Sequence, residues 1–296
     1  MATPTKDYRS VWTYLMRTPF RQDYIDVRGL KTRYVEAGRP DSPAVILLHG
    51  TGGHWEAFCA NIGAYAEHFH VFAFDMKGAG FADKPDVDYE IADLATFAKD
   101  FMAAVGVKKA SLVGVSLGAW TAALVATTYP EIVERIVLVS PVGVARLSPN
   151  APGHDAEKET AKRVAIVKDT SWENTRNIFK GLIYDDEDVI PDLVAIRQAI
   201  HRLPNAERDM AHVLTIGKTA TYERAALTDE ALAGLQIPAL VFVSEHDNPF
   251  FRKAAQIIAE LAPNAKLIEL KNVAHWAQFE AADYFNELTI QFLGGK

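Results

Sequence analysis

The chain has 296 residues, 49% of them hydrophobic and 23% charged, with a formal net charge of −7. That is enough apolar mass for one large core, and the acidic balance gives no electrostatic reason to expect nucleic acid or an anionic membrane as partner. Cys59 is the only cysteine, so an intrachain disulfide is excluded; with no signal-like N-terminus and no run of roughly 20 apolar residues, the expectation is a cytoplasmic protein without a membrane span.

Short apolar runs alternate with longer helical stretches. DYIDVRG (23–29) and TRYVEAG (32–38) predict a pair of strands forming an antiparallel edge. AVILLHG (44–50) is a continuous apolar run, as expected of a strand buried on both faces. It opens into a glycine-rich turn, HGTGGHW, and then a helical stretch, WEAFCANIGAYAEHF. HVFAFDMKG (70–78) predicts the next strand and EIADLATFAKDFMAAVG the next helix. ASLVGVS (110–116) runs straight into the helical SLGAWTAALVATTYP, and ERIVLVS (134–140) follows. ALVFVSE (239–245), NPFFRKAAQIIAELAP, AKLIEL (265–270) and AADYFNELTIQFLGG close the chain as strand, helix, strand, helix. This alternation predicts an α/β protein with a mostly parallel sheet covered by helices on both sides.

One interval breaks the rhythm. Residues 142–228 contain no clear buried strand but four helical patterns: AEKETAKRVAIV, WENTRNIFKGLIY, PDLVAIRQAIHRL and ERDMAHVL. The interval is too long for a loop, and no Gly/Ser/Pro-rich linker sets it apart as a separate domain. The expected organisation is a core domain of residues 1–141 and 229–296 with a helical cap, 142–228, inserted between two strands.

The stretch Gly114-Val115-Ser116-Leu117-Gly118 places a serine on a tight strand-to-helix turn. Such a turn can lift the hydroxyl above the sheet as a nucleophile. A serine needs a base, and the base needs a third group to orient it. Catalytic groups in open parallel sheets gather at the carboxyl ends of strands. There, Asp247 follows one strand, with Glu245 as its near rival, and His275 follows the last. The chain order is Ser116, Asp247, His275. The backbone N–H of Leu117 and that of Thr51 or Gly52 are candidate donors to an oxyanion. Taken singly, Asp247 could cap the helix that follows it and His275 could be a core residue. All three in this order after strands favour catalysis. The glycine-rich turn lacks the Lys-Ser/Thr of a P-loop and the spacing of a dinucleotide fingerprint. His49, His54, His68 and His70 have no zinc-like spacing, so neither a cofactor nor a metal is expected. The expected partner is a small-molecule substrate, and a homodimer is the assembly to consider.

These motifs resemble the α/β-hydrolase superfamily over nearly the whole chain, from about residue 23 to 292. DMKGAGFADKP (75–85) is similar to that family's Asp-x-x-Gly-x-Gly-x-Ser-Asp-Lys-Pro, with Ala82 in the serine's place. A serine at the elbow, not an aspartate, disfavours the haloalkane dehalogenase and epoxide hydrolase branches. A complete triad disfavours a non-catalytic receptor of the same fold. Within the superfamily the chain looks most like the meta-cleavage product hydrolases, which cut a carbon–carbon bond in ring-opened catechols. AHWAQFE (274–280) resembles their Gly-His-Trp-x-Gln-x-Glu, and IYDDEDVIPDLVAIRQAI (183–200) resembles their cap helix. The resemblance implies that Arg197 binds a dienoate carboxylate, that Trp276 lines the pocket beside His275, and that Gly50 also contacts substrate. It further implies that His275 helps shift the enol to the keto form before Ser116 or water attacks the ketone carbon. Three departures stand out. Val115 replaces the usual Asn, Ala119 replaces a Gly, and GGHWEAF replaces a Gly-Pro-Gly-Ala run. The polar contact to the substrate's keto or enol oxygen is then missing or supplied otherwise. Hydrolysis of short or aromatic esters by the same residues is the second expectation.

Overall fold

The computed structural model describes residues 9–147 and 156–294. Parts of the expected cap, 148–155, and of both termini therefore lie outside the described residues. Eight strands form one sheet: β1 (Phe20–Val27), β2 (Leu30–Ala37), β3 (Ala44–Leu48), β4 (His70–Phe74), β5 (Ala110–Val115), β6 (Val133–Val139), β7 (Ala239–Ser244) and β8 (Ala265–Leu270). Their spatial order is β1-β2-β4-β3-β5-β6-β7-β8. β1 and β2 pair antiparallel, β2 joins β4 antiparallel, and every other pairing is parallel. The β1–β2 hairpin turns on Arg28 and Gly29, both at positive φ, as a two-residue turn matched to strand twist requires.

The helices in chain order are α1 (Val11–Leu15), α2 (Cys59–Ala66), α3 (Ile91–Ala104), α4 (Leu117–Thr128), α5 (Ala156–Lys168), α6 (Trp172–Asn177), α7 (Pro191–His201), α8 (Ala206–Leu214), α9 (Thr219–Ala225), α10 (Asp229–Ala233), α11 (Pro249–Leu261), α12 (Ala277–Glu280) and α13 (Ala282–Leu293). None of the described helices is long and apolar enough to cross a membrane.

The unbroken apolar runs are explained by two cores, one on each face of the sheet. Side chains alternate faces along a strand. Ile46, Leu48, Leu112, Ile136, Leu138 and Val241 join one core with residues of α3, α4 and α11. Val45, Leu47, Val113, Val137, Val139 and Phe242 join the other with residues of α2 and α13. No position in the middle of these strands faces water, so no polar alternation survives in the sequence.

Helices α5 to α9 all fall between β6 and β7, and no strand lies among them in the described residues. The two ends of this excursion meet: Val144 bridges Leu227, with Leu227 N–H donating to Gly143 O at 2.7 Å and Ala145 N–H to Leu227 O at 2.9 Å. Phe179, Ile183, Leu193 and Val194 from the inserted helices pack into one core, and Val213, Ile216 and Tyr222 into the other. The insertion thus straddles the carboxyl edge of the sheet.

Three local features depart from the sequence expectation. The segment after β3 is a 3-10 turn (Trp55–Phe58) followed by a short α2, where one helix was expected. β4 ends at Phe74; Asp75, just past it, still donates its backbone N–H to Arg33 O at 2.9 Å, while its carboxylate accepts from Trp55 N–H at 2.9 Å and Phe81 N–H at 2.7 Å. α1, capped by Ser10 with Thr13 returning the bond, was not anticipated.

Candidate active site

The serine turn is held by close backbone approach. Ser116 sits at φ 56 and ψ −116, a conformation that costs a non-glycine residue on the order of 1–3 kcal/mol. Its N–H donates to Val139 O at 2.9 Å, which ties the turn to β6. A β-carbon on Gly114 would lie 2.2 Å from Gly118 O, and one on Gly118 would lie 2.0 Å from Leu48 O. Only glycine lets β5, α4 and β3 meet this closely. Leu117 opens α4, so its N–H has no intrahelical acceptor.

His275 lies between β8 and α12. Its Nδ1 is 3.0 Å from Asp247 Oδ1, and both side chains are buried. Asp247 also accepts from Asn248 N–H at 2.8 Å. Burial alone would raise the Asp247 carboxyl, but His275, Ser140 and the Asn248 N–H together hold it below the usual range. Ser140, just past β6 at φ 47, also donates its hydroxyl to His275 O at 3.1 Å. Asn248, not Asp247, caps α11 by accepting from Phe250 N–H at 2.9 Å. Asp247 is therefore not occupied as a helix cap. Glu245 is exposed and accepts from Asn272 N–H at 3.1 Å, so it braces the neighbouring turn instead.

The glycine-rich turn after β3 is fixed from beneath. His49 Nδ1–H donates to Gly50 O at 2.8 Å, and Nε2 accepts from Met76 N–H at 3.0 Å. Burial pushes the His49 imidazole down to about 4, so the ring is neutral near pH 7 with a fixed tautomer. Beside it Arg33 clamps Glu56 with two bonds of 2.9 and 2.8 Å and binds Asp75 at 2.7 Å. A buried cluster of this kind, broken at one partner, leaves a bare charge. It therefore fixes the 49–56 turn in one geometry.

A cavity of about 510 Å³ lies between core and insertion. Thr51, Ser116, Leu117, Asp247 and His275 line it from the core; Arg197, His201 and Met210 line it from the insertion. Gly50 backs the serine: a β-carbon there would lie 3.2 Å from Ser116 Cβ. Gly52, at φ 62, faces Met210 and Arg197. Arg197 is only 4% exposed and stands over the Phe179 ring at 5.7 Å. Burial lowers its guanidinium to about 10, with Arg163 adding to the effect and Glu56 opposing it, so the charge persists at neutral pH.

A strained serine between close-packed glycines after β5 and a buried Asp–His pair after β7 and β8 are the arrangement expected of one large family, and a family model described as the alpha/beta hydrolase fold matches residues 43–282. The chain belongs to the α/β-hydrolase family. As an α/β hydrolase it is 26% identical over 275 residues to carboxylesterase YbfK of Bacillus subtilis (strain 168), covering 92% of this chain and 87% of that protein. It is 28% identical over 275 residues to 2-hydroxy-6-oxo-6-phenylhexa-2,4-dienoate hydrolase of Comamonas testosteroni, covering 90% and 93%. Among solved structures, the Bacillus subtilis carboxylesterase CesB (YbfK) superposes with a TM-score of 0.80 at 25% identity, over 97% of this chain and 95% of that one. The dienoate hydrolase of Rhodococcus sp. strain RHA1 matches the fold with a TM-score of 0.80 at 24% identity, over 93% and 98%.

Within this hydrolase, Trp276 is placed differently from the sequence expectation. It is not among the residues lining the cavity. Its ring packs edge-on against Phe179 at 5.7 Å and Phe279 at 6.2 Å, and its backbone N–H donates to Leu182 O at 2.9 Å. It joins the His275 turn to the insertion. Glu280, from the same motif, works beside it: its carboxylate accepts from Ala274 N–H at 2.9 Å and Tyr184 N–H at 2.6 Å. Sequence reasoning assigned no role to Glu280, Ser140 or His201. His201 had a findable signal, because it stands four residues after Arg197 on one helix and so shares its face.

Proposed function

We propose that this protein is a serine hydrolase in which Ser116, His275 and Asp247 act as nucleophile, base and orienting acid, and that it cleaves a carbon–carbon bond in 2-hydroxy-6-oxo-dienoates. The observation that carries the substrate class is Arg197: a buried, charged guanidinium with no ion pair among the described residues lines the same cavity as Ser116 and His275. A planar carboxylate on the substrate is its natural counter-ion. With Asp247 on Nδ1, His275 presents Nε2 to take the Ser116 proton and later return it to the leaving group. The Leu117 N–H and that of Thr51 or Gly52 hold the oxyanion. For a dienoate, His275 first assists the enol-to-keto shift, and Ser116 or water then attacks the ketone carbon.

The second reading, a carboxylesterase with the same catalytic residues, is favoured by Val115, which stands where the carbon–carbon hydrolases this chain resembles carry Asn and which is packed in the apolar core. Relatives of both kinds occur at similar identity. A parallel assay of p-nitrophenyl esters and a ring-cleaved dienoate decides between them. A kcat/KM that favours the dienoate supports the carbon–carbon hydrolase, and the reverse ratio supports the esterase.

A further inference from the structure

Three buried nitrogens near the cavity have no hydrogen-bond partner within the protein among the described residues: Arg197 Nε, His201 Nδ1 and His54 Nε2. Buried polar atoms are nearly always paired, so such atoms together call for a ligand or a structural reason. Two of them belong to α7. Leu193, Arg197 and His201 follow at four-residue intervals and are all buried, which places them on one stripe of the helix. Arg197 and His201, 4% and 6% exposed, both line the cavity that holds Ser116. The third nitrogen belongs to the 49–56 turn, where Glu56 grips His54 Nδ1 at 2.8 Å and fixes the ring.

His201 is not a second cation. Burial, reinforced by Arg197 and His54, pushes its imidazole down to about 3. A neutral imidazole can donate to a keto oxygen or accept from an enol hydroxyl, according to its tautomer. The cap side of the cavity thus joins one charged fork to one neutral, two-way hydrogen-bonding group, a single helical turn apart. A plain carboxylate would satisfy the first and leave the second bare.

We propose that Arg197 and His201 form a two-point seat for a 2-oxo or 2-hydroxy carboxylate, Arg197 holding the carboxylate and His201 Nδ1 the oxygen on the adjacent carbon. The seat rests on the reading of Arg197 given above and adds a polar contact to the substrate's 2-oxygen from the inserted helix that carries Arg197. His201 is on this account the residue that separates a 2-oxo acid from a simple acid.

Three five-carbon p-nitrophenyl esters test it: the neutral pentanoate, the glutarate monoester and the 5-ester of 2-oxoglutarate, each rate corrected for spontaneous hydrolysis. The oxo acid is expected to exceed the glutarate in kcat/KM by roughly 10- to 100-fold, because a site built for a hydrogen bond disfavours the analogue that lacks it. His201→Leu should bring that ratio close to one, and His201→Gln should retain part of it, with melting curves checking that both variants fold. A wild-type ratio near one overturns the seat without any variant, as does a ratio that survives His201→Leu. The glutarate-to-pentanoate ratio reports on Arg197 alone. No preference there defeats the carboxylate reading itself, whereas a glutarate preference without an oxo preference defeats only the two-point seat.

Discussion

Asp247 Oδ1 lies 3.0 Å from His275 Nδ1, while Glu245, two residues earlier, turns outward to brace Asn272. The two carboxylates therefore predict opposite outcomes. Asp247→Asn should lose roughly 10⁴ in kcat, because the amide would favour the wrong imidazole tautomer. Glu245→Gln should stay close to wild type. Steady-state hydrolysis of a p-nitrophenyl ester checks both, and the reverse ranking would reassign the acid.

Ser116→Ala should lose on the order of 10⁴ to 10⁶ in kcat, as removal of a nucleophile that acts in concert with its base does. Substrate binding should persist, since only a hydroxyl is removed. Activity close to wild type in this variant would mean that the strained turn is purely structural.

The elbow makes a stability prediction as well. An alanine methyl at position 118 would fall 2.0 Å from Leu48 O, a backbone atom at the heart of the sheet. Overpacking of this kind costs typically 1–3 kcal/mol. For a chain of this size that is a fall in Tm of roughly 2–4 °C for each kcal/mol. Gly29→Ala is the control, because nothing lies within 4 Å of its added methyl, although its φ of 85 still carries strain. Equal losses at the two sites would remove the close-approach argument.

The strand-to-helix rhythm and the order Ser116, Asp247, His275 were legible in the sequence because both follow from local pattern: apolar runs mark doubly covered strands, and chemistry collects at their ends. The pairing of Asp247 with His275 was not separable from a pairing with Glu245, since the two carboxylates share one turn and only the direction of each side chain distinguishes them. Trp276 was misplaced for a similar reason. Its neighbour His275 faces the cavity, but α12 begins at once and turns the indole toward Phe179. The 3-10 break after His54 was hidden because it depends on Asp75, twenty residues later, holding Trp55 N–H.

The buried histidines set an acid response. His49 and His201 have folded-state values pushed down to about 4 and about 3, against about 6.5 in the unfolded chain. Below about pH 6.5 the unfolded state binds protons that the folded state refuses, so stability falls as pH falls, and it keeps falling until the folded-state values are reached. Each such histidine contributes a slope of about 1.4 kcal/mol per pH unit at most. The buried carboxylate Asp247, held below its usual range, adds its own loss only near and below about pH 4. Urea unfolding at pH 7, 6 and 5 should show the histidine slope, and His201→Gln should reduce it. An unchanged slope would mean that His201 is protonated in the folded protein.

Arg197 separates the two enzyme readings. Its truncation to Ala removes a charge-assisted contact worth about 1.5–3 kcal/mol if the substrate brings a carboxylate into the cavity, roughly a 10- to 150-fold loss in kcat/KM on a dienoate. A neutral p-nitrophenyl ester offers the guanidinium no partner, so it should lose far less. Arg197→Lys should fall between, because an ammonium keeps the charge but cannot grip both oxygens in one plane. Since Arg197 also packs over Phe179, equal losses on both substrates would assign it to the packing of the inserted helices. Losses on neither would leave the cavity without a carboxylate ligand, and the carboxylesterase reading would then stand ahead of the carbon–carbon hydrolase.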